Sequence, residues 1–193
     1  MIRPNDYDKT TAAGDYRKLP AGGYICKVVK ATEERTKSGL PMLKVAIDIA
    51  QGEYANFYKD AYAADTRQDK KWPAGGTAYI VSQFNDGKTN PVFKAFCTSV
   101  EESNGMELSW GTDFGPQLKN KAVGIIFREE EYLNNDNAVR VSVKPYGYRS
   151  VEVIQNGMYQ VPEIKKLDEA PTPAKTEGAP EGFEAIDDSD IPF

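Results

Sequence analysis

The chain has 193 residues, 40% of them apolar and 27% charged, which suits one ordinary domain with a buried core. No run of eighteen apolar residues occurs, so no membrane-spanning helix and no membrane partner are expected. Histidine is absent and the formal net charge is −5, which removes the commonest general base and metal ligand and, over the whole chain, argues against a nucleic-acid partner.

Residues 1–18 contain no apolar segment of the kind a secretory signal needs and are expected to form an arm ahead of the domain. Cys26 and Cys97 form no CxxC, and without an export signal they are expected to be reduced, buried and inert. From residue 19 the chain reads mostly as strands. Residues 23–36 are rich in β-branched and aromatic side chains and end at the turn signal KSGLP. Residues 41–50 alternate, with Leu43, Val45, Ile47 and Ile49 on one face and Lys44, Ala46 and Asp48 on the other. After the turn QGE, residues 54–62 are expected as a third strand with Tyr54, Tyr58 and Tyr62 on one side and Lys59 on the other. The stretch 63–89 is long for a loop and is expected to carry a short strand in TAYIVSQF or a binding excursion.

One helix is expected next. Asn90 suits an N-cap and Pro91 a first helical position; Val92, Phe93, Phe96, Cys97 and Val100 form an apolar stripe, and Gly105 suits the stop. Residues 121–132 place Val123, Ile125 and Phe127 on one face, and NNDN makes a turn. Residues 138–148 then set Val139, Val141 and Val143 inward against Arg140, Ser142, Lys144 and Tyr146 outward. Strict period two predicts an antiparallel sheet with one buried face. A mainly β chain of five strands with a helix between the third and fourth has the order of an OB-fold, an antiparallel Greek-key barrel, here with a long insertion; a sandwich has a similar pattern.

Composition changes near Pro162. Residues 163–193 hold nine acids against three bases and include APTPAKTEGAPEG, a stretch unable to bury enough apolar surface to offset its ordering entropy. A disordered acidic tail is therefore expected there, with the domain over 19–162. Of the chain's 24 bases and 29 acids, residues 1–162 keep 21 and 20, a net of +1, so the acidity belongs to the tail and the body has room for a basic face.

Motifs for catalysis fail on context. NDGKT at 85–89 lacks the glycine a phosphate loop needs five positions before Gly87, where Ser82 stands. TDFG at 112–115 has no accompanying kinase motifs, and Glu129, Glu130 and Glu131 read as a solvated strand end. No nucleophile–base set, metal site or cofactor is expected, and the chain is not expected to be an enzyme. What stands out is basic and aromatic residues interleaved on polar faces: Lys44, Tyr58, Lys59 and Tyr62; Lys70, Lys71 and Trp72, followed by Tyr79 and Phe84; and Arg140, Lys144, Tyr146, Tyr148 and Arg149. Cations that track phosphates and rings that stack on bases are what sequence-tolerant binding of single strands requires. At the other end, Asp187, Asp188 and Asp190 precede Ile191, Pro192 and Phe193, an acidic patch with an apolar tip on a leash. That arrangement suits docking of a peptide end into an apolar pocket with a basic rim.

DDSDIPF at 187–193 resembles the acidic tip of bacterial single-stranded DNA-binding proteins, which ends in Asp-Asp-Asp-Ile-Pro-Phe. The stretch 19–58 resembles the opening of phage and prophage single-stranded DNA-binding proteins: Leu19-Pro20-x-Gly22-x-Tyr24, then Ser38-Gly39-x-Pro41-Met42-Leu43, then Gly52-Glu53-Tyr54. The resemblance covers about forty residues and the tail. It implies a protein of a bacterial host's cytoplasm that coats single-stranded DNA during phage or mobile-element replication and recombination and recruits replication, recombination and repair proteins. The number of copies that assemble is left open. The alternative is a protein-interaction adaptor that binds no nucleic acid, and a carboxylate-based hydrolase is a third reading.

Overall fold

The computed structural model describes residues 2–5, 7 and 17–167. Its elements are β1 (Gly22–Arg35), β2 (Pro41–Ile49), α1 (Phe57–Ala64), a 3-10 turn (Ala74–Gly76), β3 (Thr77–Val81), α2 (Pro91–Asn104), α3 (Phe114–Gln117), β4 (Ala122–Leu133), β5 (Val139–Arg149) and α4 (Val151–Gln155). The strands form one antiparallel sheet in the order β3-β2-β1-β4-β5. The two edges approach each other: β3 contacts β5, and the 3-10 turn also lies against β5.

The alternation of β2 does what period two dictates. Leu43, Val45, Ile47 and Ile49 are all buried, paired across β1 with Val28 opposite Ile47 and Cys26 opposite Ile49. Cys26 pairs on its other side with Val123, which carries the core onto β4. Between Val28 and Lys30 the register of β1 shifts, so the inward set runs Cys26, Val28 and then Ala31. Lys30, Thr32 and Glu34 consequently stand on the outer face, opposite Ala46, Lys44 and Met42.

Helix α2 closes one side of the core. The Asn90 side chain accepts from the Val92 N–H at 2.9 Å, Pro91 opens the helix, and Gly105 ends it at φ 57°, a backbone conformation in which a side chain is strained. Phe93, Phe96, Cys97 and Val100 are buried, and Phe96 meets Tyr148 edge-on at 5.1 Å. Val92 is the exception to the expected stripe, being 46% exposed.

Three expectations are corrected. Residues 54–62 are not a strand: Ala55–Asn56 turn, and α1 follows. A spacing of four residues between Tyr54, Tyr58 and Tyr62 fits period two and period 3.6 alike, and Ala61, Ala63 and Ala64 favour the helix. Its start is fixed from outside: the buried Asp48 accepts from the Tyr58 and Lys59 N–H groups at 3.0 and 3.4 Å, and from the Ile49 N–H at 3.0 Å. The third strand is instead β3, in the former insertion. Second, Val139 and Val141 are exposed and only Val143 packs on the core, because β4 leaves β1 after Phe127 and continues with β5 as a two-stranded ribbon. Third, ordered backbone continues past 162. Lys165 donates to the Glu129 carbonyl and accepts from the Glu131 N–H, both at 2.9 Å, adding a short parallel bridge to the ribbon. Among the described residues no helix is long and apolar enough to cross a membrane.

Candidate nucleic-acid interface

The outer face of β1, β2 and β3 carries a groove of about 650 Å³. Lys44 stands at its centre, opposite Thr32 on β1 and Tyr79 on β3. Tyr79 is 60% exposed, and the Lys44 ammonium lies 5.7 Å from its ring centroid. Lys30, Arg67 and Lys71 add three further cations around the groove, and Trp72, Pro73 and Ala74 form its end wall. Glu34 binds Lys44 at 3.3 Å, and Asp65 holds Arg67 at 2.7 Å. Those Arg67 hydrogen bonds, side chain first, lower the Asp65 carboxyl to about 2, so the pair stays charged at any ordinary pH. Lys30 and Lys71 make no ion pair among the described residues.

Trp72 is set rigidly. Its indole N–H donates to the carbonyls of Ile47 at 3.1 Å and Gly76 at 3.0 Å, and a Cβ on Gly76 would meet the Tyr58 ring at 2.6 Å and Trp72 Nε1 at 2.8 Å. Only glycine permits that approach. Tyr62, on α1, lies 5.5 Å from Trp72 between ring centroids, and the Lys70 ammonium sits 5.1 Å from the Tyr62 ring. The result is a continuous row of cation, ring, ring and groove.

The expected residues therefore divide. Lys44, Lys71, Trp72 and Tyr79 line the groove, with Tyr62 and Lys70 beside it. Lys59 is exposed on α1, and Phe84 is exposed at the base of a turn that its N–H closes to the Lys88 carbonyl at 2.8 Å. Tyr58 and Tyr148 do not belong to a surface site: they are 3% and 4% exposed, packed on Phe127 and Phe96. Tyr58 is helical rather than on a strand, and β5 shifts register beside Phe127, which turns Tyr148 inward. Lys30 and Arg67 were missed; the bulge hides the parity of the first, and the second sits in a stretch without period.

Arg140, Lys144 and Tyr146 form a second group on the β4–β5 ribbon, and Arg149 is exposed at the end of β5. Lys144 reaches Glu130 at 3.3 Å, Arg128 reaches it at 2.7 Å, and the Arg128 guanidinium covers the Tyr146 ring at 4.3 Å. Burial alone would raise Glu130, but hydrogen bonds from Arg128 and Lys144 outweigh it and hold the carboxyl below its usual range. Arg128 and Lys144 are thus committed to one acid, unlike Lys30 and Lys71. Cys26 and Cys97 are buried; burial pushes both thiols up, Cys97 to about 12. The expected docking residues, Asp187, Asp188, Asp190, Ile191, Pro192 and Phe193, lie outside the described residues.

Compared with known proteins, the chain matches no family model and no curated sequence.

Proposed function

We propose that this chain binds single-stranded DNA without strong sequence preference, in phage or mobile-element replication and recombination within a bacterial host's cytoplasm. In this reading an OB-like barrel holds the strand, and the acidic segment recruits replication, recombination and repair proteins through its tip. The observation that carries the reading is the groove. Two rings, Trp72 and Tyr79, sit among Lys30, Lys44, Arg67 and Lys71, a combination that serves bases and phosphates together. The barrel is supported by the strand order, by α2 between β3 and β4, and by the approach of β3 to β5. No catalysis and no cofactor enter this reading.

The exposed Val139 and Val141 favour a second reading, an adaptor that meets proteins through the ribbon. Electrophoretic shift of a labelled oligo-dT separates the two, since an adaptor leaves it unshifted. If the groove reads phosphates, affinity falls linearly with the logarithm of salt, with a slope of about −0.7 per contacted phosphate. A titration at several salt concentrations checks this, and an affinity indifferent to salt overturns the groove.

A further inference from the structure

A second cavity, of about 740 Å³, opens beyond the groove, where the Pro41 end of β2 and the end of β1 meet α2 and α3. Its walls are Met42, Leu43, Phe93, Phe114 and the exposed Trp110. Trp110 lies nearly parallel to Phe114, with centroids 4.9 Å apart and planes 19° apart, while remaining 70% exposed. Phe114 therefore covers part of the indole and Phe93 stands 6.1 Å away, while most of its surface is open to solvent. A large aromatic held rigid yet bare is an interaction surface awaiting a flat or apolar partner.

The charges at the rim help choose the partner. Glu33, Glu34, Arg35 and Lys94 surround the mouth, two of each sign. Glu34 is tied to Lys44, and Lys94 makes no ion pair among the described residues. A strongly acidic peptide gains little from so balanced a rim, whereas an uncharged base with its backbone outside, near Lys94, meets no such conflict. Continuity decides it. On β2, Ala46 and Lys44 line the groove and Met42, on the same outer face, lines the near rim of this cavity, with about 7 Å between successive same-face residues, while inward Leu43 lines its core side. Glu34 of β1 borders both. A strand lying along β2 past Trp72 and Tyr79 reaches Met42 and Glu34 at the rim of the cavity that Trp110 lines.

We propose that this cavity is a second base-binding station, in which Trp110 stacks on a nucleobase of the strand that the groove holds. The proposal rests on the single-strand reading above and extends its path by the length of β2.

The chain's two tryptophans make the test direct. With Trp72→Phe, emission reports on Trp110 alone; with Trp110→Phe, it reports on Trp72. Oligo-dT long enough to span both sites is expected to quench Trp110, while the shortest oligo-dT that binds quenches only Trp72. Trp110→Ala, measured with a labelled oligonucleotide so that it does not depend on the Trp72 variant folding, is expected to weaken the longer complex about tenfold and leave the shortest one unchanged. If the longer oligonucleotide binds and quenches Trp72 but neither Trp110 emission nor the Trp110→Ala affinity responds, the station is overturned and the groove stands. Should no oligonucleotide bind the parent chain, the groove reading fails and the station with it. Quenching of Trp110 by a free DDSDIPF peptide, without quenching by DNA, assigns the cavity to an acidic apolar peptide end and also overturns the proposal.

Discussion

Tyr79 and Tyr24 show how differently one residue type serves on the two faces of this sheet. Tyr79 is 60% exposed, and the Lys44 ammonium lies 5.7 Å from its ring centroid. Tyr79→Ala is therefore expected to melt like the parent and to lose about 1–3 kcal/mol of oligo-dT affinity, the usual worth of one stacked base. Fluorescence titration beside a thermal melt checks it; unchanged affinity removes Tyr79 from the interface. Tyr24 is packed edge-on against Phe127 at 5.6 Å and Tyr54 at 6.0 Å, and its hydroxyl donates to the Pro20 carbonyl. Burial first, and the neighbouring Tyr54 second, push its pKa up to about 12. Tyr58 and Tyr148 are pushed further up, by burial above all. An unfolded phenol ionises near 10, so the folded chain keeps protons there that the unfolded chain releases. This contribution to stability is whole below about pH 10 and is lost as pH rises through 12. Melting temperatures recorded across that window, with tyrosinate absorbance, are expected to fall together with ionisation of these rings. Early, reversible ionisation of all eleven tyrosines at constant melting temperature contradicts it.

At the scale of elements, α1 depends on one carboxylate nine residues before its first residue. Asp48 is 3% exposed and supplies the acceptor for three N–H groups, two of them at the helix start, in place of the cap that Asn56 does not provide. Asp48→Ala leaves those donors buried without partners and is expected to cost about 2 kcal/mol, while Asp48→Asn retains an oxygen and recovers most of it. Urea unfolding midpoints compare the three chains; equal midpoints refute the cap. The same contact explains what sequence made legible. β1, β2, β4, β5 and α2 follow from local pattern, since their alternation, cap and stop lie within the element itself. Helix α1 escaped because its decisive partner is Asp48, which reads locally only as an outward residue of a strand. The exposed valines of β5 escaped for a related reason: alternation says which side chains share a face but not whether another strand covers it. Part of the groove was legible as composition, in Lys44, Lys71, Trp72 and Tyr79. Lys30 and Arg67 required the bulge at Val28–Lys30 and the pairing of β3 with β2.

Over the whole molecule, charge is divided by position along the chain. Residues 163–193 contain nine of its 29 acids, and their described beginning is pinned to the β4–β5 ribbon by Lys165 between Glu129 and Glu131. Leu167 is held there too, its N–H donating to the Glu131 carboxylate at 3.3 Å. The acidic segment is therefore tethered to the same body that carries Lys30, Lys44 and Lys71. A tethered polyanion competes with phosphate at high effective concentration, by an amount that salt reduces. Deleting residues 187–193 is expected to leave oligo-dT binding intact or severalfold tighter at low salt, with the difference narrowing as salt rises. Recruitment of host proteins is expected to vanish with the same deletion. Phe193 is the largest apolar group at the tip, so Phe193→Ala is expected to lose nearly as much recruitment while keeping all the acids and hence the competition. The two variants thus separate the tip's two contributions: the deletion changes both DNA affinity and partner recovery, the point variant only the second. Pull-downs from host lysate with the parent, the deletion and Phe193→Ala, each paired with an oligo-dT titration, read both quantities. Recovery of the same proteins by all three chains leaves the acidic tip as a charged appendage without a docking role.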